Sequence, residues 1–265
     1  MYATRNVKLQ VRDIHMQFGD KIALNHASFD VYEGEFLSIL GPSGCGKTTA
    51  LRILVGLQEP VSGTIYKDGI DITSEHPSKR GMGIVFQNYA LFENMTVFEN
   101  VEYALRIKKE NRSAEARKEI RKKVIALLEQ LELSDHLDKK PAQVSGGQQQ
   151  RVAIARTLAV NPDIILFDEP MSALDVATRL SLRKELKRIQ NDFGTTMIYI
   201  THDQEEAFAM SDRIMVMREG NVIQIGTPEE IIRNPADEYV RDFVLRNLEL
   251  KVNSLSKFIK VSNGT

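Results

Sequence analysis

The sequence predicts an α/β fold with a mostly parallel sheet, an antiparallel β part at the N-terminus and an inserted α-helical subdomain. Apolar, strand-like runs at residues 164–167, 197–201 and 214–218 are separated by segments of helix length. This alternation is typical of a parallel sheet covered by helices. Another apolar run, at residues 36–40, leads into a glycine-rich turn and then a helix-like stretch. Strand, glycine-rich turn and helix in that order form the context that a phosphate-binding loop requires.

Local patterns predict the other two parts of the fold. Residues 7–11 and 27–31 are short apolar runs beside turn residues, which indicates strands. Thr96 and Glu99 have the spacing of a capping box at the start of a helix. After this start, apolar residues recur at helical spacing, opposite a charged face that we expect to be solvated. These apolar residues are Ile120, Val124, Leu127, Leu128 and Leu131.

Composition narrows the class of protein. The 265 residues are 42% hydrophobic, which is enough for a full core, and the formal net charge is only −1. That charge provides no basic field for DNA or RNA, so we expect no nucleic-acid partner. The N-terminus has no apolar signal segment, and no apolar run approaches the roughly 18 to 20 residues that cross a bilayer. The single cysteine, Cys45, excludes an internal disulfide and a multi-cysteine zinc site.

The strongest motif is GPSGCGKT, from Gly41 to Thr48, which matches the pattern G-x-x-x-x-G-K-[ST]. Its glycines allow consecutive backbone N–H groups to face one anion, and the helix that begins near Lys47 adds its positive end. Lys47 can reach the β- and γ-phosphates of a nucleotide, and the Thr48 hydroxyl can bind Mg²⁺. Cys45 fits a small slot in the loop, and we assign it no catalytic part. The nucleotide-binding candidates here are Gly41, Ser43, Gly44, Cys45, Gly46, Lys47, Thr48 and Thr49.

A second motif is the apolar run that ends in Asp168 and Glu169. Ligands of open α/β sheets bind at the carboxyl ends of the strands, where Asp168 would bind Mg²⁺. Glu169, one residue further on, would orient and deprotonate the attacking water. Acidic residues commonly end strands, so this pair alone is only moderately specific. Together with the phosphate-binding loop it predicts a nucleotide-hydrolysing enzyme.

A third motif separates this chain from most other nucleotide-hydrolysing proteins. Ser145, Gly146, Gly147 and Gln148 precede a helical run, which makes a second anion-binding helix start. One active site needs only one phosphate-binding loop. We therefore expect the second element to serve the nucleotide of another copy of the chain, related by twofold symmetry.

With these motifs in this order, the chain resembles the ATP-binding subunits of ABC transporters, whose signature is the SGGQ segment. The resemblance covers almost the whole chain and implies a P-loop NTPase (RecA-like) core. It makes Gln87 the Q-loop glutamine, the segment from Ser172 to Asp175 the D-loop, His202 the switch histidine and Phe18 the aromatic that stacks on adenine. The departures are mild: Val144 stands where Leu is commoner and Phe18 where Tyr is frequent. Stacking needs only the ring face, so neither disturbs the chemistry.

The resemblance also implies domain boundaries and cofactors. We expect an ABC ATPase domain at residues 1–243, with the helical subdomain inserted at about 88–150, and a C-terminal tail at 244–265. The implied cofactors are ATP and Mg²⁺, with two ATP molecules sandwiched between two copies of the chain. The implied catalytic residues are Glu169, His202, Lys47 and Gln87, and the implied Mg²⁺ ligands are Thr48, Gln87 and Asp168. The implied ATP contacts outside the loop are Phe18, Gln87, Ser145, Gly146, Gly147, Gln148 and Asp175.

The partners implied are a second copy of the chain, transmembrane permease subunits and, indirectly, an extracytoplasmic solute-binding protein. The chain would then sit peripherally on the cytoplasmic face of the cell membrane. Apolar residues soon after Gln87 could form a groove for a short permease helix, although part of this cluster is expected to pack inside the helical subdomain. The cluster consists of Tyr89, Leu91, Phe92, Met95 and Phe98.

The motifs are most similar to those of bacterial solute importers of the polyamine, sugar, iron and phosphonate type. Many of these carry a C-terminal β-barrel regulatory domain of roughly a hundred residues, which we expect this chain to lack. An exporter-type or lipoprotein-releasing ABC ATPase would use the same core. A soluble, non-transport ABC protein would need a zinc insertion, a long coiled coil or a second ATPase core. A nucleotide-dependent regulator without turnover would usually lack Glu169 or His202.

Overall fold

The structure, a computed structural model, describes residues 6–107, 113–172 and 174–246. Contacts within the chain group these residues into two compact units. The first unit contains residues 6–50, 60–71 and 200–246, and the second contains residues 51–59, 72–107, 113–172 and 174–199. The predicted C-terminal tail lies outside the described residues from position 247 onwards.

Strands and helices alternate regularly from residue 146 to residue 218, and elsewhere in the described chain they mostly occur in groups of two or three. The strands are β1 (Val7–Phe18), β2 (Lys21–Tyr32), β3 (Phe36–Leu40), β4 (Ser62–Lys67), β5 (Ile70–Asp71), β6 (Met82–Val85), β7 (Ile164–Asp168), β8 (Thr196–Thr201), β9 (Arg213–Arg218) and β10 (Asn221–Gly226). The helices are α1 (Lys47–Leu54), α2 (Val97–Arg106), α3 (Ala114–Gln130), α4 (Gly146–Ala159), α5 (Val176–Phe193), α6 (Gln204–Met210), α7 (Pro228–Arg233) and α8 (Glu238–Val240). A π-helical segment, Arg241–Arg246, follows α8.

The first unit contains an antiparallel sheet with the strand order β2-β1-β4-β5. Much of β1 alternates between more buried and more exposed side chains, as expected of a sheet with one face on the core. The predicted antiparallel β part at the N-terminus is therefore confirmed. Both β1 and β2 extend beyond the apolar runs at residues 7–11 and 27–31. Polar residues at outward-facing positions lengthen these strands without adding to the apolar signal.

The parallel strands are apolar along nearly their whole length. In the first unit, β3 pairs in parallel with β9, and β10 pairs antiparallel with β9. In the second unit the order is β8-β7-β6, with β6 and β7 parallel. All residues of β3 and β8, and all of β7 except Asp168, are buried. Burial on both faces is the reason that such strands appear in the sequence as continuous apolar runs. The predicted mostly parallel sheet is confirmed.

The helical part of the second unit follows the predicted pattern. Helices α2, α3 and α4 contact one another. The Thr96 hydroxyl accepts from the Glu99 backbone N–H at 3.1 Å, and the Glu99 carboxylate accepts from the Thr96 N–H at 2.8 Å, which confirms the capping box. Helix α3 buries the five apolar residues predicted from its spacing and the turn after it, and its charged face is exposed.

None of the helices in the three described ranges combines the length and the apolar character needed to cross a membrane.

Candidate functional site

The phosphate-binding loop connects the buried strand β3 to helix α1 in the first unit. Lys47 is the first residue of α1, and only 4% of its surface is exposed. Its ammonium group donates to the carbonyl oxygens of Gly41 at 2.8 Å and Pro42 at 3.0 Å. The loop thus wraps around the side chain of Lys47, and the charged ammonium group lies next to the carbonyl oxygens at the start of the loop.

The curvature of this loop depends on glycine. Gly46 has a φ of +106°, and a Cβ at this position would lie 2.3 Å from the carbonyl oxygen of Ala23 on β2. A Cβ at Gly41 would lie 2.6 Å from the Met217 carbonyl oxygen. Cys45 is buried, and its carbonyl oxygen accepts from the Gly220 N–H at 3.0 Å. Cys45 therefore helps to anchor the loop to the turn after β9, a structural role that agrees with its having no catalytic assignment.

Other predicted nucleotide contacts of the first unit are exposed. Phe18, at the end of β1, is 52% exposed, so a ring face is available for stacking. His202 is also exposed and directly follows β8. Its neighbours are fixed: the buried Thr201 hydroxyl donates to a carboxylate oxygen of Glu206 at 2.8 Å and accepts from the Asp203 N–H at 2.9 Å.

Strand β7 of the second unit ends at Asp168, and Glu169 follows with a φ of +45°. A positive φ is uncommon for a residue other than glycine and is often found at functional sites. The Ser172 hydroxyl donates to the Glu169 carbonyl oxygen at 3.0 Å and accepts from the Gln87 side-chain amide at 3.0 Å. A hydrogen-bonded chain therefore connects Gln87 to the backbone of Glu169 through Ser172.

The role of Ser172 did not follow from the sequence. The resemblance places Ser172 at the start of the D-loop, the segment from Ser172 to Asp175, and only the aspartate was given a role there. A serine four residues after a strand-terminal acid gives no signal by itself. Its connection to Gln87 spans 85 positions of sequence and becomes visible only in the folded chain.

Ser145 caps helix α4 in the second unit. Its hydroxyl accepts from the Gln148 N–H at 3.3 Å, and its own N–H donates to the Gln148 side-chain oxygen at 2.9 Å. The Gln148 amide nitrogen also lies 2.8 Å from Nε2 of His136. Gly146 and Gly147 form the first turn of this fourteen-residue helix. The positive end of a long helix is therefore presented by small residues.

A cavity of about 240 Å³ lies beside this helix start. A Cβ on Gly147 would lie 2.7 Å from a methyl carbon of Thr178 on α5, so the close approach of the two helices requires glycine there. Asp175 caps α5 by accepting from the Thr178 N–H at 3.0 Å and from the Thr178 hydroxyl at 2.6 Å. These bonds, the hydroxyl first, hold the pKa of Asp175 below its usual value. The cavity is lined by Ser145, Gly147, Gln148, Arg151, Thr178, Ser181 and Leu182.

Arg151, one of the residues that line the cavity, belongs to an ion-pair network. Arg151, on α4, contacts carboxylate oxygens of Glu132 at 2.7 Å and of Glu185, on α5, at 2.9 Å. Burial raises the pKa of Glu185, although the nearby charge of Arg151 acts in the opposite direction. Arg151 and Glu185 were not predicted as parts of the site, because charged residues on a helix normally indicate an exposed face.

The predicted residues thus form two groups. The first unit contains Phe18, the loop from Gly41 to Thr49 and His202. The second contains Gln87, Asp168, Glu169, the segment from Ser145 to Gln148 and Asp175. Each group is a set of strand ends, helix starts and turns in which polar groups are held by local hydrogen bonds. The individual roles of these residues stay predictions.

Comparison with known proteins agrees with this arrangement. The family model described as ABC transporter matches residues 24–172. The sulfate/thiosulfate import ATP-binding protein CysA of Pectobacterium atrosepticum is 46% identical over 246 residues, which are 93% of this chain and 74% of that protein. The spermidine/putrescine import ATP-binding protein PotA of Haemophilus influenzae is 46% identical over 236 residues, 89% of this chain, and this chain spans only 62% of that protein.

A solved structure supports the same assignment. The ATP-binding cassette MJ0796, seen as a dimer in a post-hydrolysis state with ADP and Pi, is 38% identical, with a TM-score of 0.73. The match covers 83% of this chain and 98% of that one. The fold, the family match and these identities lead to one conclusion. The chain belongs to the ABC transporter family, as an ATP-binding and ATP-hydrolysing cassette.

Proposed function

We propose that this cassette drives a bacterial solute importer, in which two copies of the chain close on ATP and move a separate membrane permease. The observation that carries the proposal is the start of α4, where Ser145, Gly146 and Gly147 present a helix N-terminus beside an open cavity. This is a second anion-binding element in a chain that already has a phosphate-binding loop. The importer assignment is supported by the relatives, both of which are named import ATP-binding proteins.

The loop residues would bind the phosphates of ATP. Lys47 points its ammonium group at two loop carbonyls, and phosphate oxygens would compete for these donated bonds when ATP is present. The backbone N–H groups from Gly44 to Thr48 and the start of α1 would add further donors. Phe18 would stack on the adenine ring.

Glu169 would orient the attacking water and accept its proton. Hydrogen bonds through Ser172 connect the Gln87 side chain to the Glu169 backbone. A displacement of Gln87 would therefore shift Glu169, the proposed general base. His202, on a segment braced by Thr201, would contact the γ-phosphate. Mg²⁺ would neutralise charge on the phosphates, and its protein ligands would be the Thr48 hydroxyl, Asp168 and Gln87. A carboxylate and uncharged oxygens, together with phosphate, are the donor set that Mg²⁺ commonly has in nucleotide sites.

The segment from Ser145 to Gln148 and the D-loop residue Asp175 would complete the site of a second copy. Positioning and charge stabilisation supply most of the catalysis of phosphoryl transfer, so a site without its partner should be nearly inactive. ATP then acts as the contact that closes the dimer, and hydrolysis releases it. The related cassette MJ0796 was seen as a dimer with hydrolysis products.

The permease would contact the exposed part of the aromatic cluster after Gln87. Phe92 is 37% exposed and lies against Tyr103, which is 39% exposed, with 4.8 Å between the ring centres. Tyr89 is buried and belongs to the interior instead. We place the chain on the cytoplasmic face of the membrane, where ATP is available, with a solute-binding protein acting on the other side.

The transported solute is decided outside this cassette. One relative is named for sulfate and thiosulfate and the other for spermidine and putrescine, yet both are 46% identical to this chain. Small oxyanions and polyamines have opposite charge. Overall identity to these relatives therefore favours neither class of solute.

The proposal is tested with Glu169→Gln. We expect this variant to bind ATP normally and to lose roughly 10²- to 10⁴-fold in ATP turnover, the range of a lost general base. Phosphate release measures turnover, and equilibrium titration measures binding. The matched control is Glu129→Gln, the same change at an exposed position of α3, which should leave both values unaltered. Near-normal turnover of Glu169→Gln would exclude Glu169 as the base.

A further inference from the structure

Two consecutive residues after Gln87 have left-handed backbone conformations. Tyr89 has a φ of +60° and Ala90 a φ of +46°. Neither residue is glycine, so the backbone of each is strained, because the Cβ atom lies too close to the following carbonyl oxygen. Tyr89 and Ala90 form a sharp corner of the backbone. Within this corner, the Tyr89 N–H donates to the Phe86 carbonyl oxygen and the Ala90 N–H donates to the Asn88 carbonyl oxygen. A strained corner of this kind persists only where the surrounding structure stabilises it.

The stabilising group is the guanidinium of Arg156 on helix α4. One of its terminal nitrogens donates to the Ala90 carbonyl oxygen at 2.6 Å, and the other donates to the Tyr89 carbonyl oxygen at 2.8 Å. Its central carbon also lies 5.6 Å from the centre of the Phe92 ring. The planar fork of an arginine binds two adjacent carbonyls through two nitrogens in a fixed geometry, whereas a lysine offers one nitrogen on a flexible stem.

Arg156 shows no ion pair within the described residues. Burial lowers its pKa, which reflects the cost of removing the charge from water. Arg156 is half-buried, and its two terminal nitrogens donate to two carbonyl oxygens of one strained corner. Its contacts suit a group that fixes the position of the corner.

We propose that Arg156 is a positioning residue that makes the segment after Gln87 and helix α4 move as one body. The proposal rests on the function proposed above. Ser145 lies at the start of the same helix, about 16 Å from Arg156 at 1.5 Å per residue. A change at Gln87 would thus reach the helix start that contacts the other copy's nucleotide. Phe92 follows the corner by two residues, so a movement of the corner would also displace the pair of Phe92 and Tyr103, the proposed contact with the permease.

The first test compares the steady-state kinetics of Arg156→Gln with those of the unsubstituted protein. We expect kcat for ATP hydrolysis to fall about ten-fold or more, because small displacements of catalytic groups are costly, while KM for ATP stays within about two-fold. Arg156→Lys, which keeps the charge but loses the fork, should fall in between. The matched control is Arg121→Gln: Arg121 also lies over a phenylalanine ring, that of Phe98 at 5.0 Å, and should be dispensable.

The second test separates positioning from simple loss of stability. Ala90→Gly removes the strain at φ +46°, since glycine adopts this conformation freely. In the Arg156→Gln background it should restore part of kcat. Turnover is expressed per folded molecule, with the folded fraction measured by circular dichroism. A defect that follows the folded fraction alone, and that glycine does not relieve, overturns the proposal.

The third test observes the corner itself. The chain contains no tryptophan, so Phe92→Trp introduces a single tryptophan beside Arg156, which can be excited selectively over the tyrosines. We expect ATP to change its emission when Arg156 is present and to leave the emission unchanged in the Arg156→Gln variant at saturating ATP. An unaltered kcat together with an unaltered emission response in Arg156→Gln overturns the inference while the proposed function stands. Absence of ATP turnover in the unsubstituted protein would instead overturn the proposed function, and the inference with it.

Discussion

Residues with unusual backbone angles lie in three of the functional segments. Gly46 in the phosphate-binding loop, Glu169 after β7 and the pair Tyr89 and Ala90 after Gln87 all have positive φ. At Gly46 the motif already required glycine, so the conformation could be predicted from the residue type. At the other three positions the residue type gives no such indication. Tyr89 and Ala90 are held by a partner that is distant in sequence, Arg156, which donates to both of their carbonyl oxygens.

Two loop glycines offer a matched pair for testing this view. Gly46→Ala would place a Cβ 2.3 Å from the Ala23 carbonyl oxygen, whereas Gly44→Ala, at φ +79°, would meet nothing within 4 Å. We expect Gly44→Ala to lower the free energy of unfolding by about 1–2 kcal/mol, the cost of left-handed strain. Gly46→Ala should lose about 1–3 kcal/mol more through overpacking. Urea denaturation without nucleotide measures the difference. Equal losses in the two variants would show that the contact with Ala23 is readily relieved.

Several helices are stabilised by side chains that form hydrogen bonds with the unpaired backbone N–H and C=O groups at their ends. Capping boxes begin α2, α4 and α7, and the one at Thr96 and Glu99 was predicted because its partners are three residues apart. The end of α1 is different. Arg80 is fully buried and donates to the carbonyl oxygens of Ile53 at 2.9 Å and Leu54 at 2.8 Å, the last residues of the phosphate-binding helix. Nothing in the sequence around Arg80 indicates this contact, because its partners lie 26 and 27 positions earlier.

Arg80→Met tests how much this capping contributes. Besides the two helix carbonyls, Arg80 donates to the carbonyl oxygens of Thr73 at 2.7 Å and Glu75 at 2.9 Å. We expect the free energy of unfolding to fall by about 3 kcal/mol or more, since several buried carbonyls lose a charged donor. The measurement is urea denaturation. Arg52→Met, at an exposed arginine in the last turn of the same helix, is the control and should cost little. Similar losses in both variants would contradict the capping role.

For the whole molecule, the central proposal is a dimer closed by ATP. The Glu169→Gln variant should be monomeric without nucleotide and dimeric with Mg²⁺ and ATP, because bound ATP is no longer consumed. Adding Ser145→Arg should prevent dimerisation, since the bulk of an arginine would fill the space in which the phosphates of the other copy's ATP would lie. Ser74→Arg, at another exposed serine of the second unit, should leave the dimer intact. Light scattering after size-exclusion chromatography gives the mass in each case. A dimer that persists with Ser145→Arg would remove α4 from the interface.

By itself, the sequence determined the fold class, the family and the chemistry of the motifs, because those signals are local. Apolar runs show which strands are buried, and the phosphate-binding loop, the acidic strand end and the SGGQ segment are short patterns of fixed spacing. Only the tertiary structure decided how distant residues support them: Ser172 between Gln87 and Glu169, Arg80 at the end of α1 and Arg156 under the corner at Tyr89. These contacts depend on which helices and strands pack together. The sequence around a polar side chain does not indicate which distant carbonyl group it will bind.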